Sequence, residues 1–591
     1  MITEPEIYYK KQHATHQDAV KTYNNKLFKF SMLRLAVFLA TVAGVYGTFQ
    51  NWQIAAGIGL MGLVIFLFSV SKYTDIKYQR NLHQALVTIN KNELDIASGN
   101  FHNRETGMAF QNPAHFYSLD IDLFGVGSFF QYVNRTSIQE GTKTLAQALN
   151  ANDIAHVETR QNAIKELAQK PDWRQHFSAV ASLIQVETPV ATIVNWLKNH
   201  ELFLPKAIKW LPTVFSILSV GVIIGAIGGL LPPALLAYWC LLGLLITGIY
   251  LKKINKLAHN TDQVKDTFRQ YASLLRNIEN EPFTASLLKE KQQQIALNEE
   301  KASNIFAKFS KYLDALDNRN NFISAILGNG FFLIDLKNSY KVEQWIAAYH
   351  EIVEHWFEVV SFFDAYNSLA NYAFNHPNYV FPTIVSNNNI TMEAQQLGHP
   401  LLDAKKRVAS DVTINKQEFF IVTGANMAGK STFLRTVSLH IIMANVGLPV
   451  CAASSKYKPI KLITSMRTTD SLTDDSSYFF SELTRLKFIV DAIQKEPYFI
   501  ILDEILKGTN STDKAIGSKK FVEKLVASNA TGIIATHDLS LCAIEAELEP
   551  VTNYYFDAQI INNELYFDYK FKKGICQNMN ASFLLQKMEI I

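Results

Sequence analysis

Two long blocks of apolar residues stand out in the pattern of hydrophobic and polar positions along the chain. The first covers about 32–70 and the second about 210–251, and a short turn-forming stretch divides each block in two. The four resulting segments, about 32–49, 52–70, 210–231 and 234–251, are each long enough to cross roughly 30 Å of membrane hydrocarbon as a helix. The pattern predicts two transmembrane helical hairpins. The alternative is a pair of helical hairpins buried in a protein core.

Basic residues flank both apolar blocks, whereas the turns inside the blocks carry no charge. The flanking residues are Lys26, Lys29, Arg34, Lys72, Lys77, Arg80, Lys206, Lys209, Lys252, Lys253 and Lys256. The positive-inside rule then predicts a multi-pass membrane protein with four spans, whose N-terminus, middle segment and C-terminal part lie on the cytoplasmic side. A signal peptide is not expected, because the first apolar run starts late and a second span follows at once.

The rest of the sequence has two parts: a helical part, and a part in which predicted strands alternate with predicted helices. Apolar residues at helical spacing mark about 257–360, whereas apolar strands alternate with helical stretches through about 410–545. The second pattern predicts a parallel sheet with helices on its faces. We therefore expect an N-terminal segment with the first hairpin (1–95), a helical core (96–206), the second hairpin (207–253), a helical core and lever (254–375) and an α/β domain (376–591).

Composition narrows the picture only a little. The 591 residues carry a formal net charge of +3, so no global basic field indicates nucleic-acid binding. The four cysteines have no metal-ligand spacing and fit a reducing compartment. Chemistry has to be sought in local motifs.

A glycine-containing loop lies between an apolar strand-like run and a helical stretch near residue 425. Its spacing is G-x-x-x-x-G-K-[ST], and the backbone N–H groups of such a loop bind a polyphosphate at a helix N-terminus. We expect Lys430 to reach the β- and γ-phosphates and Ser431 to ligate Mg²⁺. The expected ATP-binding residues are Gly424, Ala425, Asn426, Met427, Ala428, Gly429, Lys430, Ser431 and Thr432.

Two later strands end in residues suited to hydrolysis. Asp503 and Glu504 close the apolar run 498–502, and His537 follows the strand-like run 531–536. Ligands of parallel sheets lie beyond the carboxyl ends of the strands, where all these residues fall. We expect Asp503 to hold Mg²⁺, Glu504 to orient the attacking water and His537 to contact the γ-phosphate, with Lys430 as a further catalytic residue. The alternatives are a solvated acidic pair and a structural histidine.

These motifs resemble those of the MutS family of mismatch-repair ATPases. Residues 423–432 are similar to the family's TGPNMGGKST, with Ala425 and Ala428 in place of proline and glycine. Residues 502–513 resemble LDEIGRGTSTxD, residues 535–537 its ATH, and residues 447–452 its G-x-x-V-P-A element. The resemblance implies a P-loop, ABC-type ATPase domain that uses ATP and Mg²⁺, with a C-terminal dimerisation segment.

The same resemblance implies composite sites in a dimer. Residues 469–482 align with DDLAxGxSTFxxEM, with Asp475 where a glycine is usual. The family pattern implies that Ser477 contacts the γ-phosphate of the partner subunit, and that Asn510 and Asp513 complete the partner's site. Upstream, residues 119–145, 160–167 and 362–370 look like the family's helical core and lever. A homodimer is therefore expected.

The family's mismatch-reading domain has no counterpart here. Members that read mismatches carry an N-terminal Phe-x-Glu wedge, and none precedes the core of this chain. We therefore expect a membrane-anchored, MutS-like ATPase that clamps a partner, with DNA as the expected partner; the sequence leaves mismatch specificity open. Two alternatives are a transport-type ATPase and a membrane scaffold that does not act on DNA. The four spans lack internal acidic residues and the chain lacks an LSGGQ-like signature, which disfavours transport.

Overall fold

The chain consists of a helical part followed by a mixed α/β part, and this predicted order is confirmed. The computed structural model describes residues 4–184, 186, 188–262, 264–296, 300–317, 319, 324–386, 389–425, 427–467, 478–561, 564–577, 587 and 589–590.

Two long helices, α1 (Glu4–Gly47) and α2 (Trp52–Ala97), form an N-terminal arm. They pack along each other and are joined by a turn at residues 48–51. Each helix runs well beyond its predicted apolar span, because the polar flanks continue the helix and pack against the rest of the chain. At the base of the arm the hydroxyl of Tyr9 donates a hydrogen bond of 2.6 Å to Asn375.

The helical core is built from shorter helices around one continuous apolar core. Its first helices are α3 (Phe129–Val133), α4 (Gln139–Asn150), α5 (Val157–Ala168), α6 (Pro171–Ser182) and α7 (Val190–Lys198). The second apolar block forms α8 (Leu211–Ile227) and α9 (Ala234–Asp262). The later helices are α10 (Lys265–Asn280), α11 (Ser286–Gln293), α12 (Ala302–Asp317), α13 (Asn329–Phe332), α14 (Ile334–Tyr349) and α15 (Val353–Asn375). The last of these, α15, is almost wholly buried and contacts α3 to α7 and α10.

Among the residues that the structure describes, three helices are long and apolar enough to cross a membrane, namely α1, α2 and α9, and α8 is a shorter apolar helix of 17 residues. Little of their most apolar stretches is covered by the rest of the chain: 0% in α1, 17% in α2 and 11% in α9. A helix hidden in a protein core would have most of its apolar surface covered. These surfaces instead face outward.

The α/β part contains a six-stranded sheet with the order β12-β9-β4-β8-β7-β6. Its strands are β4 (Phe419–Gly424), β6 (Lys461–Ser465), β7 (Tyr498–Asp503), β8 (Thr531–Ala535), β9 (Val551–Phe556) and β12 (Lys572–Lys573), and only the edge strand β12 is antiparallel to its neighbour. The helices α16 (Lys430–Val446), α17 (Tyr478–Ile493), α18 (Ser511–Ala527) and α19 (Ile544–Glu547) accompany it. Residues of β4 and β8 are all buried, as expected for strands covered on both faces.

A second sheet and a hairpin complete this part. The four-stranded sheet has the order β1-β5-β2-β3 and contains β1 (Thr383–Ile384), β2 (Ile390–Leu397), β3 (Ser410–Asn415) and β5 (Ser454–Tyr457). The hairpin pairs β10 (Ala558–Ile561) with β11 (Glu564–Phe567). The loop between β2 and β3 reaches the carboxyl edge of the large sheet.

Two aspartates of the helical part hold the α/β part. Asp120 accepts hydrogen bonds from the Thr464 hydroxyl (2.5 Å) and the Arg467 backbone N–H (2.9 Å). Asp122 forms a bidentate ion pair with Arg467 (2.6 and 2.7 Å) and lies 3.3 Å from Arg435 on α16. A bidentate arginine–carboxylate pair fixes orientation as well as distance. The turn at 120–122 therefore connects the core to α16 and to the chain segment before α17.

Two histidines in the arm give it a pH response. The Nδ1 atoms of His16 on α1 and His83 on α2 lie 3.0 Å apart, and the ring of Tyr23 stacks on His83. Burial lowers the pKa of both imidazoles, and the nearby His83 lowers the pKa of His16 further. The unfolded arm therefore binds more protons than the folded arm below the ordinary histidine pKa of about 6.5.

We predict that the pairing of α1 with α2 weakens as the pH falls from 7.5 to 5.5, because each histidine must be charged next to the other. Amide hydrogen exchange of peptides within 9–27 and 76–90 measures this weakening and should rise by several fold beyond the intrinsic pH effect. The double variant His16→Gln, His83→Gln is the control and should lose this extra rise. An equal extra rise in the double variant would contradict the role of the pair.

Candidate functional site

The loop after β4 has the backbone shape that a phosphate-binding loop requires. Gly424 (φ 149°), Met427 (φ 65°) and Gly429 (φ 107°) all have positive φ. A Cβ atom on Gly424 would lie 2.7 Å from the carbonyl oxygen of Phe556, so only glycine fits there. Ala428 is fully buried, which anchors the loop, and Asn426 lies outside the described residues.

Lys430, the first residue of α16, turns its ammonium group back over the loop. Its Nζ donates hydrogen bonds to the carbonyl oxygens of Gly424 (2.8 Å) and Ala425 (3.1 Å) and lies 3.1 Å from His537 Nε2. The side chain is buried, and burial lowers the pKa of its ammonium group. The ammonium is thus positioned inside the loop by weak acceptors that a phosphate oxygen can replace.

Ser431 and Asp503 lie together beside the loop. The Ser431 hydroxyl donates a hydrogen bond of 2.8 Å to Asp503 Oδ2. Burial raises the pKa of Asp503, and the Ser431 hydroxyl opposes that change. Hydroxyl and carboxylate oxygens are hard donors that suit Mg²⁺, which usually takes only one or two protein ligands and completes its shell with water and phosphate. No group of three or more histidine, cysteine, aspartate or glutamate residues that could hold a metal occurs in the described part of the chain.

Glu504 and His537 contact each other close to Lys430. Glu504 Oε1 lies 2.9 Å from His537 Nε2, and the Lys507 ammonium lies 3.6 Å from Glu504 Oε2. The hydrogen bond with His537, together with the nearby positive charges, lowers the pKa of Glu504 to about 2. Glu504 is therefore a carboxylate at neutral pH, as a group that accepts a proton or hydrogen bond from water must be.

Strand order explains why these side chains converge. β8 lies between β4 and β7, and Ala535 is paired with Val422 on one side and with Asp503 on the other. His537, two residues after Ala535, consequently lies between the loop with Lys430 and the end of β7 with Glu504. The single Nε2 atom contacts both neighbours, so it can accept from Lys430 or donate to Glu504 but not both in one tautomer.

Glu482 is a site residue to which the sequence analysis assigned no role. It lies on α17 and is 3% exposed, and its carboxylate accepts hydrogen bonds from the backbone N–H groups of Leu506 (2.5 Å) and Lys507 (3.0 Å). These two residues directly follow Glu504 and Ile505, and both Glu504 (φ 50°) and Leu506 (φ 60°) have left-handed backbone conformations. Glu482 therefore holds the strained turn that aims Glu504.

Of the residues predicted to act across a dimer, the structure describes Asn510 and Asp513. Asn510 caps the N-terminus of α18: its Oδ1 accepts from the Asp513 backbone N–H (2.9 Å) and its Nδ2 donates to Asp513 Oδ2 (2.8 Å). Both side chains are exposed at the surface. Ser477 and Asp475 lie outside the described residues. The action of Ser477, Asn510 and Asp513 on a partner subunit stays a prediction.

A cavity of about 630 Å³ opens beside the loop, with Lys430, Ser431, Glu504 and His537 at one end. The rest of its lining comes from the end of β2, the loop between β2 and β3, α16 and the C-terminal part of the chain; the residues there include Leu397, His399, Val408, Phe433, Phe556 and Tyr569. Burial, with nearby Arg435 and Arg407, lowers the pKa of His399 to about 4. The neutral ring and its apolar neighbours suit a flat heterocycle, whereas the other end suits phosphates.

Comparison with known proteins identifies the α/β part. Residues 420–587 match the family model MutS domain V. The chain is 34% identical over 202 residues to human MutS protein homolog 4, which covers 32% of this chain and 21% of that protein. It is 29% identical over 242 residues to the DNA mismatch repair protein MutS of Staphylococcus haemolyticus, covering 40% and 27%. It is 31% identical over 220 residues to the DNA mismatch repair protein MutS of Methanococcoides burtonii, covering 36% and 24%.

The matched region spans about a fifth to a quarter of the length of these relatives. The loop, Asp503, Glu504 and His537 all fall within 420–587, so the geometry described above belongs to the matched domain. The arm, α8 and α9 lie outside it.

We predict that Glu482→Gln lowers the rate of ATP hydrolysis about 10- to 100-fold, because it weakens two charge-assisted hydrogen bonds of about 1.5–3 kcal/mol each that hold the Glu504 turn. Nucleotide affinity should change little, since the two hydrogen bonds described for Glu482 both go to the turn after Glu504. Steady-state phosphate release and binding of a fluorescent ATP analogue separate the two effects. Glu523→Gln on the surface of α18 is the matched control. Unchanged turnover in Glu482→Gln would refute the role.

Proposed function

We propose that this chain is a MutS-family ATPase that hydrolyses ATP with Mg²⁺, is anchored in a membrane and couples hydrolysis to clamping of DNA. The observation that carries the proposal is the convergence of Lys430, Ser431, Asp503, Glu504 and His537 at one sheet edge inside a MutS domain V. Relatives of this domain are named as DNA mismatch repair proteins.

The contacts suggest the part that each residue plays. The Lys430 ammonium leaves the carbonyl oxygens of Gly424 and Ala425 for the β- and γ-phosphates, and the loop N–H groups bind the remaining phosphate oxygens. Ser431 and Asp503 hold Mg²⁺, which neutralises phosphate charge when bound. Glu504 orients a water molecule that attacks the γ-phosphorus as the bond to the β-phosphate oxygen breaks, giving ADP and phosphate.

His537 links binding to hydrolysis. In the structure it lies between the Lys430 ammonium and the Glu504 carboxylate, 3.1 and 2.9 Å away. When Lys430 moves toward phosphate, His537 Nε2 is released from that neighbour and is free to donate toward a γ-phosphate oxygen. Glu504 then exchanges its histidine partner for water. The same histidine thereby senses whether a γ-phosphate is present.

A homodimer supplies the missing side of the site. In the proposed arrangement Ser477, Asn510 and Asp513 of one subunit reach the triphosphate bound by the other. The exposed positions of Asn510 and Asp513, and the exposed apolar side chains of Phe480 and Leu483 on α17, support an interface on this face.

Movement passes to the helical part through the aspartates at 120 and 122. Asp122 pairs with Arg435 on the helix that follows the phosphate-binding loop, and with Arg467, which precedes the segment aligned with the family signature. A shift of either arginine on nucleotide binding moves the turn at 120–122 and the core attached to it. We propose that this motion opens and closes levers around DNA, through contacts to the phosphate backbone.

The outward-facing apolar surfaces of α1, α2, α8 and α9 support membrane anchoring through two hairpins. The flanking lysines and arginines favour an orientation with both hairpin tips outside and the ATPase in the cytoplasm. The tip at Asn51 is exposed and uncharged, as is the tip at Leu230.

We predict that Glu504→Gln binds ATP with near-normal affinity but hydrolyses it at least about 100-fold more slowly, because an amide cannot accept the proton or orient water as the carboxylate does. Phosphate release and equilibrium ATP binding measure the two properties. The trapped ATP state should also raise the dimer fraction in light scattering. Glu545→Gln, outside the site, is the control. Normal turnover in Glu504→Gln would contradict the assigned role.

We predict that duplex or branched DNA binds the detergent-solubilised chain at low salt and changes its ATPase rate several fold, with similar values for matched and mismatched duplexes. Fluorescence anisotropy at two salt concentrations and phosphate release provide the measurements. Binding should weaken steeply with salt if phosphate contacts dominate. Absence of both binding and stimulation would remove DNA as the partner and favour a membrane scaffold instead.

We predict that a cysteine placed at Asn51 is labelled by a membrane-impermeant maleimide in intact cells, because the tip of the first hairpin faces out. A cysteine at Lys289, on the helical part, should be labelled only after the membrane is opened. Equal labelling of both positions in intact cells, or of neither in opened cells, would contradict the proposed orientation.

A further inference from the structure

A short apolar segment outside the two hairpins packs against the second hairpin. Residues 324–334 contain no charged side chain and read Ser-Ala-Ile-Leu-Gly-Asn-Gly-Phe-Phe-Leu-Ile. An apolar run of this length is too short to span a membrane, and such runs typically form buried, interfacial or re-entrant segments. In the structure a π-helical turn (Ser324–Gly328) leads into α13 (Asn329–Phe332).

Small residues bring this segment into backbone contact with α9. A Cβ atom on Gly243 of α9 would lie 2.2 Å from the Gly330 carbonyl oxygen, and a Cβ atom on Gly330 would lie 2.3 Å from Cys240 Sγ. On the other side, the Ser216 hydroxyl of α8 lies 3.5 Å from the Phe332 carbonyl oxygen. Close backbone approach at small residues is the usual way in which helices associate in lipid.

The contact lies at the level of the apolar part of the hairpin and not at its basic end. Lys252 follows Gly243 on α9 by about 13 Å along the helix axis, at about 1.5 Å per residue. At the start of α8, the first helix of the hairpin, Trp210 marks the end near Lys209. Gly330 therefore reaches well inside the zone that the hairpin would occupy in hydrocarbon.

Apolar side chains of the segment face outward together with those of the hairpin. Leu327 is 49% exposed and Phe332 is 36% exposed, while Leu245 and Ile249 of α9 are 69% and 77% exposed. Asn329, a polar residue of the segment, points inward instead: its side chain is buried, and its Oδ1 accepts from the Asp335 backbone N–H at 2.9 Å. This is the polarity of a surface in contact with lipid, with its polar groups satisfied inside the protein.

A buried ion pair lies at the base of the segment. Arg319 and Asp335 form an ion pair of 3.3 Å, with both side chains largely buried. The two residues stand on either side of the apolar run, just after α12 and just inside α14. The charged residues thus mark where the chain leaves and rejoins the polar part of the molecule.

We propose that residues 324–334 are a re-entrant segment that enters the lipid bilayer beside the second hairpin, a membrane contact additional to the four spans. The proposal rests on the proposed membrane anchoring and names lipid acyl chains as the partner of Leu327 and Phe332. Because the segment leads directly into α14, this helix of the lever is attached to the membrane at this point. The lever would then contact the bilayer itself, in addition to being held near it by the two hairpins. Its motion would be coupled to the bilayer.

Brominated lipids test the proposal in the full chain reconstituted in bilayers. An environment-sensitive fluorescent amino acid is placed at Leu327, at Leu245 on the hairpin, or at the exposed Lys289 on α11. We expect acyl-chain bromine to reduce emission by about half at 327 and 245, since both probes would lie within the roughly 30 Å hydrocarbon layer, and to leave 289 unchanged.

The outcomes separate the two proposals. Quenching at 245 without quenching at 327 overturns the re-entrant segment and leaves the anchoring intact. Quenching at neither position overturns both. As a second test, Gly330→Leu should move the segment off α9 and reduce quenching at 327 while quenching at 245 persists; Gly221→Leu, in open space on α8, is the matched control. Unchanged quenching at 327 in Gly330→Leu would contradict docking through the glycine contact.

Discussion

The parallel pairing of β4, β8 and β7 is the constraint on which the site depends. It places Val422, Ala535 and Asp503 in one row across the sheet, so the loops that follow the three strands leave from the same edge. The distances among Lys430, Ser431, Asp503, Glu504 and His537 follow from that row. These five residues come from three separate places in the sequence: Lys430 and Ser431 are neighbours, Asp503 and Glu504 are neighbours, and His537 stands alone. Loss of register by one residue would turn every side chain of the shifted strand to the opposite face and disperse the group.

Hydrogen bonds and ion pairs of two aspartates connect the same part of the α/β sheet to the helical part. Asp120 and Asp122 contact the end of β6, the segment leading toward α17 and the helix that starts at Lys430. Asp122 is partly exposed, so its ion pairs add little to stability, but the bidentate geometry with Arg467 fixes orientation. One small turn therefore touches both segments that would respond to a bound triphosphate. The arrangement gives a physical route from nucleotide state to the core without requiring a long chain of coupled contacts.

The sequence predicted the large features and several of the close contacts. The glycine spacing predicted a loop that the structure forms with positive φ at Gly424 and Gly429, and apolar strands followed by acids predicted the edge at which Asp503 and Glu504 lie. Glu482 could not be assigned a role, because its partners are backbone N–H groups 24 and 25 residues away, and a backbone donor leaves no mark in sequence. His399 and Tyr569 join the cavity from a different sheet and from the C-terminal strands, which only tertiary structure reveals. The helices α1 and α2 exceed the predicted spans since hydropathy locates apolar segments but not the polar helix that continues them.

In the proposed function, the cavity beside the 423–432 loop binds a nucleoside triphosphate with Mg²⁺, with the base against the β2–β3 loop and the phosphates against Lys430. Photolabelling of the full chain with 8-azido-ATP, followed by peptide mapping, tests it most directly. The account predicts labelled peptides from the cavity wall near His399 or Tyr569, labelling that is competed by unmodified ATP, and loss of labelling in Lys430→Met. Labelling confined to other parts of the chain, or labelling that is unchanged in Lys430→Met, would contradict it.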